Sequence, residues 1–184
     1  MTVFDCSLQS FVSWNYVITV SDSDFTASVE FDDWGEEGKI TLPSSHYKVK
    51  DKFSISDQEY TNLAQSGLAS YSEKGLFVWL DGEWLLEKDD QVVAIARKAN
   101  PLTRVFKVFH QEQIFLLKAK YPFTKSFVVE QNNQLLGTIR PKNYWTKQAI
   151  IDCSSSISVP MQIFMFWLTS LMWRRDEQRR IRQM

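Results

Sequence analysis

Cysteine is scarce in this chain. Cys6 and Cys153 are the only two, and they lie far apart with no CxxC or Cys/His spacing. That excludes a disulfide-stapled scaffold and a zinc finger; two free thiols in a reducing cytosol are expected, with a single Cys6–Cys153 bridge as the alternative. Six glycines and five prolines leave no low-complexity linker and no collagen-like stretch. The N-terminal MTVFDCSLQS lacks a basic segment followed by an apolar one, so no secretory signal is expected and the chain is placed in the cytoplasm.

Catalytic signatures are missing too. There is no GxSxG, no GxxxxGK[ST], no HExxH and no Gly-rich dinucleotide fingerprint. The only histidines, His46 and His110, fall in strand-like contexts, and a His110/Cys153 nucleophilic pair rests on composition alone. The acids at 22–37 lack EF-hand spacing and read as solvated turns. No enzyme, cofactor or metal site is therefore expected. With a pI of about 6.1 and no RNA-binding motif, nucleic acid is not an expected partner either, despite the interleaved Tyr144-Trp145.

What the chain does have is length for one domain and a high aromatic content. Its 184 residues are 14% aromatic, with seven Trp, a composition that favours strands. Strict alternation places Phe25, Ala27, Val29 and Phe31 on one face, and Val12, Trp14, Tyr16, Ile18 and Val20 on another, with a turn at 21–24 between them. Asp81-Gly82 between LFVWL and EWLLE predicts a tight hairpin, and Asp89-Asp90 a further turn. Strands are also expected at 39–42, 46–50, 91–97, 104–109, 113–120, 125–130, 134–140 and 146–152. The total is about twelve, spread over residues 11–152. One short helix is expected at about 57–66, with Ser56 and Glu59 as a capping box and Gly67 as its stop.

An internal repeat runs through the second half. Residues 87–97, EKDDQVVAIAR, match 130–140, EQNNQLLGTIR, at an offset of 43 residues, and Thr103-Arg104 matches Thr146-Lys147 at the same offset. Each unit reads strand, two-residue turn, strand ending in Arg, loop, then Thr-plus-base opening a third strand.

The segment beginning at Ile157 differs from all of this. Pro160 suits a helix first turn, with Ser158 as a candidate cap, and between 161 and 173 only Gln162, Thr169 and Ser170 are polar. A helix apolar all round must be enclosed by protein or by lipid. Its 17 residues, 157–173, span roughly 25 Å against a hydrocarbon core of about 30 Å. A bilayer segment at 157–173, stopped by Trp173 and Arg174-Arg175, is thus one reading. Enclosure of a helix at about 160–173 by a closed barrel is the favoured one, because closure also removes exposed strand edges. The basic tail 174–184 is then expected in solvent with its arginines unpaired.

About twelve strands, related β units and a hydrophobic helix at the C-terminal end resemble the tubby C-terminal-like superfamily, which includes the tubby domain, the phospholipid scramblases and the LURP-one-related proteins. The stretch most similar runs from about Phe77 to Trp173, through SFVVEQNNQLLGTIRP and YWTKQAIID to the helix. The resemblance implies a single domain over 1–184: a closed, mainly β, antiparallel barrel of about twelve strands around the helix. It also implies lipid binding through basic residues. Asp152 stands alone before the helix, so the acidic calcium segment of the scramblases has no counterpart here.

Charge is unevenly spread. Residues 1–38 carry eight acids and no Lys or Arg, whereas 97–150 carry ten bases against Glu112 and Glu130. Such a basic block attracts anions. The repeat nominates Arg97 with Arg140, and Arg104 with Lys147, at equivalent points; with Lys142 these are the candidate anion- or lipid-binding residues. The expected function is a non-enzymatic binding module, peripheral to a membrane, whose partner is anionic phospholipid or an acidic protein surface. A membrane-anchored protein and a small enzyme with an unrecognised site are the alternatives.

Overall fold

The computed structural model describes residues 2–10, 13–21, 23–32, 36–51, 82–99, 103–121, 124–143 and 146–183. They form twelve strands and one helix. The strands are β1 (Thr2–Leu8), β2 (Tyr16–Val20), β3 (Thr26–Phe31), β4 (Gly38–Leu42), β5 (Ser45–Asp51), β6 (Glu83–Lys88), β7 (Gln91–Lys98), β8 (Val105–His110), β9 (Gln113–Ala119), β10 (Phe127–Gln131), β11 (Gln134–Pro141) and β12 (Ala149–Cys153), followed by helix α1 (Val159–Arg182). Each strand pairs antiparallel with its sequence neighbours, and β1 pairs with β12 to close the barrel. The closed mainly-β barrel expected from the sequence is what the chain forms.

Alternation explains the wall. Tyr16 and Ile18 of β2, Ala27, Val29 and Phe31 of β3, and Ile40 and Leu42 of β4 are buried, while their neighbours face outward. Closure rests on a strand that the sequence reading passed over. In β1, Phe4 and Cys6 point inward, and the register Phe4↔Ile151 and Cys6↔Ala149 zips it to β12. The signal was present as Phe4, Cys6 and Leu8 alternating with polar Asp5 and Ser7, a run of only five residues.

The expected Asp81-Gly82 hairpin falls outside the described residues except for Gly82 and the EWLLE arm. The partner segment 76–80 and Asp81 are not among the described residues, and both edges of β6 are taken, by β5 through Val49↔Leu86 and by β7 through Trp84↔Ala96. Gly82 does have the positive φ of 72° that suggested a turn, but at the entry to β6. The expected helix at 57–66 likewise lies outside the described residues.

The repeat is structural. Trp84↔Ala96 and Ile95↔Phe109 in the first unit become Phe127↔Ile139 and Thr138↔Asp152 in the second, each shifted by the same 43 residues. The bulge at Leu86/Glu87 recurs at Val129/Glu130. Asp89-Asp90 and Asn132-Asn133 form two-residue turns with positive φ at both positions, the geometry that matches strand twist in a tight hairpin. Even the loop bond Ala99 N–H to Val105 O, 2.8 Å, recurs as Lys142 N–H to Gln148 O, 2.8 Å.

The barrel has two unlike ends. Tight turns at 43–44, 89–90, 111–112 and 132–133 close one end, called here the turn end. The longer connections, among them 32–37, 99–104, 120–126 and 142–148, gather at the opposite, loop end. The chain leaves β12 at the turn end, and α1 runs back through the barrel to leave at the loop end. Ser158 occupies the N-cap position but makes no side-chain cap; Gln162 Nε2 instead donates to Ile157 O at 2.7 Å, anchoring the first turn.

Every residue of α1 from Met161 to Trp173 is buried. Tyr16 packs edge-on against Phe166 with ring centres 4.9 Å apart, and Phe31 stacks on Trp167 at 4.9 Å. Gly38 leaves the space that Trp167 fills: a Cβ there would lie 2.7 Å from the indole nitrogen. Residues 161–173 are therefore the barrel's own core, and lipid is not needed to shelter them. Among the described residues no helix is long and apolar enough to cross a membrane.

Candidate functional site at the loop end of the barrel

Where α1 leaves the barrel, three consecutive residues reach three different loops. Arg175 donates from Nε to Glu36 Oε1 at 2.8 Å and pairs through Nη2 with Glu36 Oε2; Asp176 Oδ2 lies 3.0 Å from Arg104 Nη2; Glu177 Oε2 lies 3.3 Å from Lys147 Nζ. Glu36, Arg104 and Lys147 stand in the β3–β4, β7–β8 and β11–β12 connections, four strands apart in a barrel of twelve, or a third of a turn each. Successive residues of a helix step by roughly 100°, so an unbroken Arg-Asp-Glu run can meet all three. Each cation also rests on a ring: Arg175 on Trp84 at 5.2 Å, Arg104 on Phe127 at 5.1 Å and Lys147 on Trp14 at 4.2 Å. Such a stacked contact contributes about 0.5–1 kcal/mol where exposed and more where dry.

Trp173 and Arg174 complete the collar. The Trp173 indole N–H donates to Lys125 O at 2.9 Å, and Arg174 Nη1 donates to Asp32 O at 3.2 Å. The residues expected to trail into solvent as a basic tail are thus helical to Arg182, and Arg174 and Arg175 are bound to the barrel rim. This corrects the expectation: helix propensity and opposite charge on the rim extend α1 beyond its apolar part.

The five candidate residues fare differently from one another. Arg97 Nε donates to Glu83 Oε2 at 3.0 Å. Arg104 pairs with Asp176, its angles outside hydrogen-bond geometry, and also donates from Nη1 to Thr124 O at 2.6 Å. Lys142 pairs with Asp5 at 2.9 Å and Lys147 with Glu177. Burial lowers the Arg104 pKa from its ordinary value, the Asp176 carboxylate opposes that shift, and Arg179 adds to it. Four of the five thus meet carboxylates of the same chain, and only Arg140 is exposed without an ion pair among the described residues.

Sequence reasoning left the cations at the end of α1 out of the candidate set. Arg179, Arg180 and Arg182 are exposed, with no ion pair among the described residues, and Ile181 between them is 65% exposed. They also complement the negative end of the helix macrodipole, a role that needs no ligand. On the neighbouring β9–β10 connection Tyr121 is 64% exposed, with Lys120 Nζ 5.7 Å from its ring centre.

His110 Nδ1 meets Val93 O at 2.9 Å, Cys153 is buried in the core, and no hydrogen bond joins the two. Both cysteines are free. Burial pushes the Cys153 thiol up to about 12 and Cys6 well above its ordinary value. No metal-holding cluster occurs among the described residues. No family model, curated protein or solved structure matches this chain.

Proposed function

We propose that this chain is a non-catalytic, tubby-like binding module that attaches to anionic phospholipid surfaces through the loop end of its barrel. The observation that carries the reading is the projecting turn of α1, where Arg179, Arg180 and Arg182 surround an exposed Ile181. Exposed Tyr121 and Arg140 lie at the same end. Cations near an anionic leaflet contribute about 1 kcal/mol each, and an isoleucine or tyrosine among them can enter the headgroup layer. The other candidate cations serve the barrel, so the expected contact is narrower than the whole basic block. Attachment of this kind makes the protein peripheral to the anionic cytoplasmic leaflet.

The test is co-sedimentation with vesicles of phosphatidylserine and phosphatidylcholine against vesicles of phosphatidylcholine alone. Binding to the first at low salt, its loss as salt rises, and its loss in Arg179→Glu/Arg180→Glu/Arg182→Glu are the expected results. Equal sedimentation with both vesicles, or none with either at low salt, removes the reading.

A further inference from the structure

The turn end carries a groove that the lipid reading does not use. It has a volume of about 350 Å³ on the outer wall between β11 and β12, and its lining includes Leu135, Leu136, Thr138, Asp152, Ser154 and Ser155. Asp152 has no ion pair among the described residues, and its Oδ1 is shut away from water with no hydrogen-bond partner. With that oxygen cut off from water, Oδ2, which is not shut away, is where a cation or donor can satisfy the carboxylate. The barrel itself does not require a charge there. In the other copy of the repeat the matching positions of Thr138 and Asp152 are Ile95 and Phe109, both buried and apolar. Leu135, at 59% exposure, offers an apolar shoulder on the rim of the groove.

We propose that this groove receives the C-terminal helical turn of a second copy of the chain, so that copies associate head to tail. The occupant needs an unpaired cation beside an apolar side chain, and Arg179, Arg180, Ile181 and Arg182 supply that pairing. The same turn cannot reach the groove of its own barrel, because α1 leaves at the loop end and the groove lies at the turn end. Charge along the axis favours the same arrangement: Asp24, Asp89 and Glu112 are exposed on the turns of one end, and the arginines project from the other. Contacts between unlike surfaces generate rings or open chains instead of closed pairs. Assembly covers the arginines that the lipid reading uses, but Asp152 belongs to assembly alone.

Sedimentation velocity on the full chain, without lipid, tests this. The weight-average mass rises with protein concentration at low salt and returns to that of the monomer at high salt. Asp152→Asn, close in shape and neutral, weakens association about tenfold or more, the scale expected for losing one charge-assisted contact. The triple variant Arg179→Glu/Arg180→Glu/Arg182→Glu does the same. Mixing the two variants, one retaining its helix end and the other its groove, yields one-to-one complexes and nothing larger. A monomer at every concentration overturns the proposal, and so does association that Asp152→Asn leaves unchanged. Vesicle binding by Asp152→Asn stays at the level of the unaltered chain, so failure here and failure of the lipid reading are separable.

Discussion

Arg104 Nη2 lies 3.0 Å from Asp176 Oδ2, joining the β7–β8 connection to the point where the core helix leaves the barrel. At the equivalent place in the repeat, Lys147 holds the next helical residue, Glu177, at 3.3 Å. Two copies of one loop thus grip two successive carboxylates, and their cations act on their own helix before any outside anion.

This pair predicts a measurable coupling. Asp176→Lys places two cations together at the rim and lowers unfolding free energy by about 1–2 kcal/mol, while adding Arg104→Glu restores part of it. Urea unfolding of the two single variants and the double variant checks the cycle. Strict additivity of the two losses shows the contact to be energetically idle.

Truncation separates the core part of α1 from its projecting end. Removing residues 160–184 leaves the barrel without its filling and gives insoluble or molten protein, whereas removing 178–184 leaves the melting temperature nearly unchanged. Within the core, Phe164→Ala or Trp167→Ala each costs about 3–5 kcal/mol, the range for deleting a buried aromatic. Circular dichroism melts and NMR dispersion report the outcome. A well-dispersed spectrum from the chain lacking 160–184 contradicts the role of the helix as core.

Gly38→Val is expected to cost about 1–3 kcal/mol, because its side chain meets the Glu30 carbonyl on the adjacent strand and the Trp167 indole on the facing helix. Gly82→Val carries a separate penalty of about 1 kcal/mol from the positive φ, and its Cβ also meets the Trp84 ring at 2.5 Å. Thermal melts of the two variants distinguish them from a neutral surface change, and an unaltered melting temperature in Gly38→Val refutes the close approach.

Alkaline pH tests the buried thiols. Burial raises the Cys153 pKa from 9.0 to about 12, so the folded state holds the proton more tightly than the unfolded chain. The resulting stability is complete below pH 9.0 and is lost as pH rises toward about 12. Burial raises Cys6 and the Tyr16 phenol in the same sense. Unfolding free energy therefore falls across that window, and a Cys153→Ala variant shows a shallower fall. A thiol reagent labels neither cysteine in the native protein near neutral pH and both after unfolding; rapid native labelling contradicts their burial.

Most of the wall and its central filling are legible in the residue pattern. Period-two alternation survives in almost any environment because only one face of each strand is wetted, and a run apolar on every side, such as 161–173, has to be enclosed. The repeat was legible for a related reason: Asp89-Asp90 and Asn132-Asn133 satisfy local turn geometry, which does not depend on distant neighbours. Three other matters depend on distant partners. β1 closes the barrel because β12 and β2 offer it two edges; EWLLE takes β5 and β7 as its two partners. The partners of the basic residues were also undecided until the chain folded. Arg104 and Lys147 meet Asp176 and Glu177 only once the helix has crossed the whole barrel, bringing together charges that composition shows merely as an excess in one block and a deficit in another.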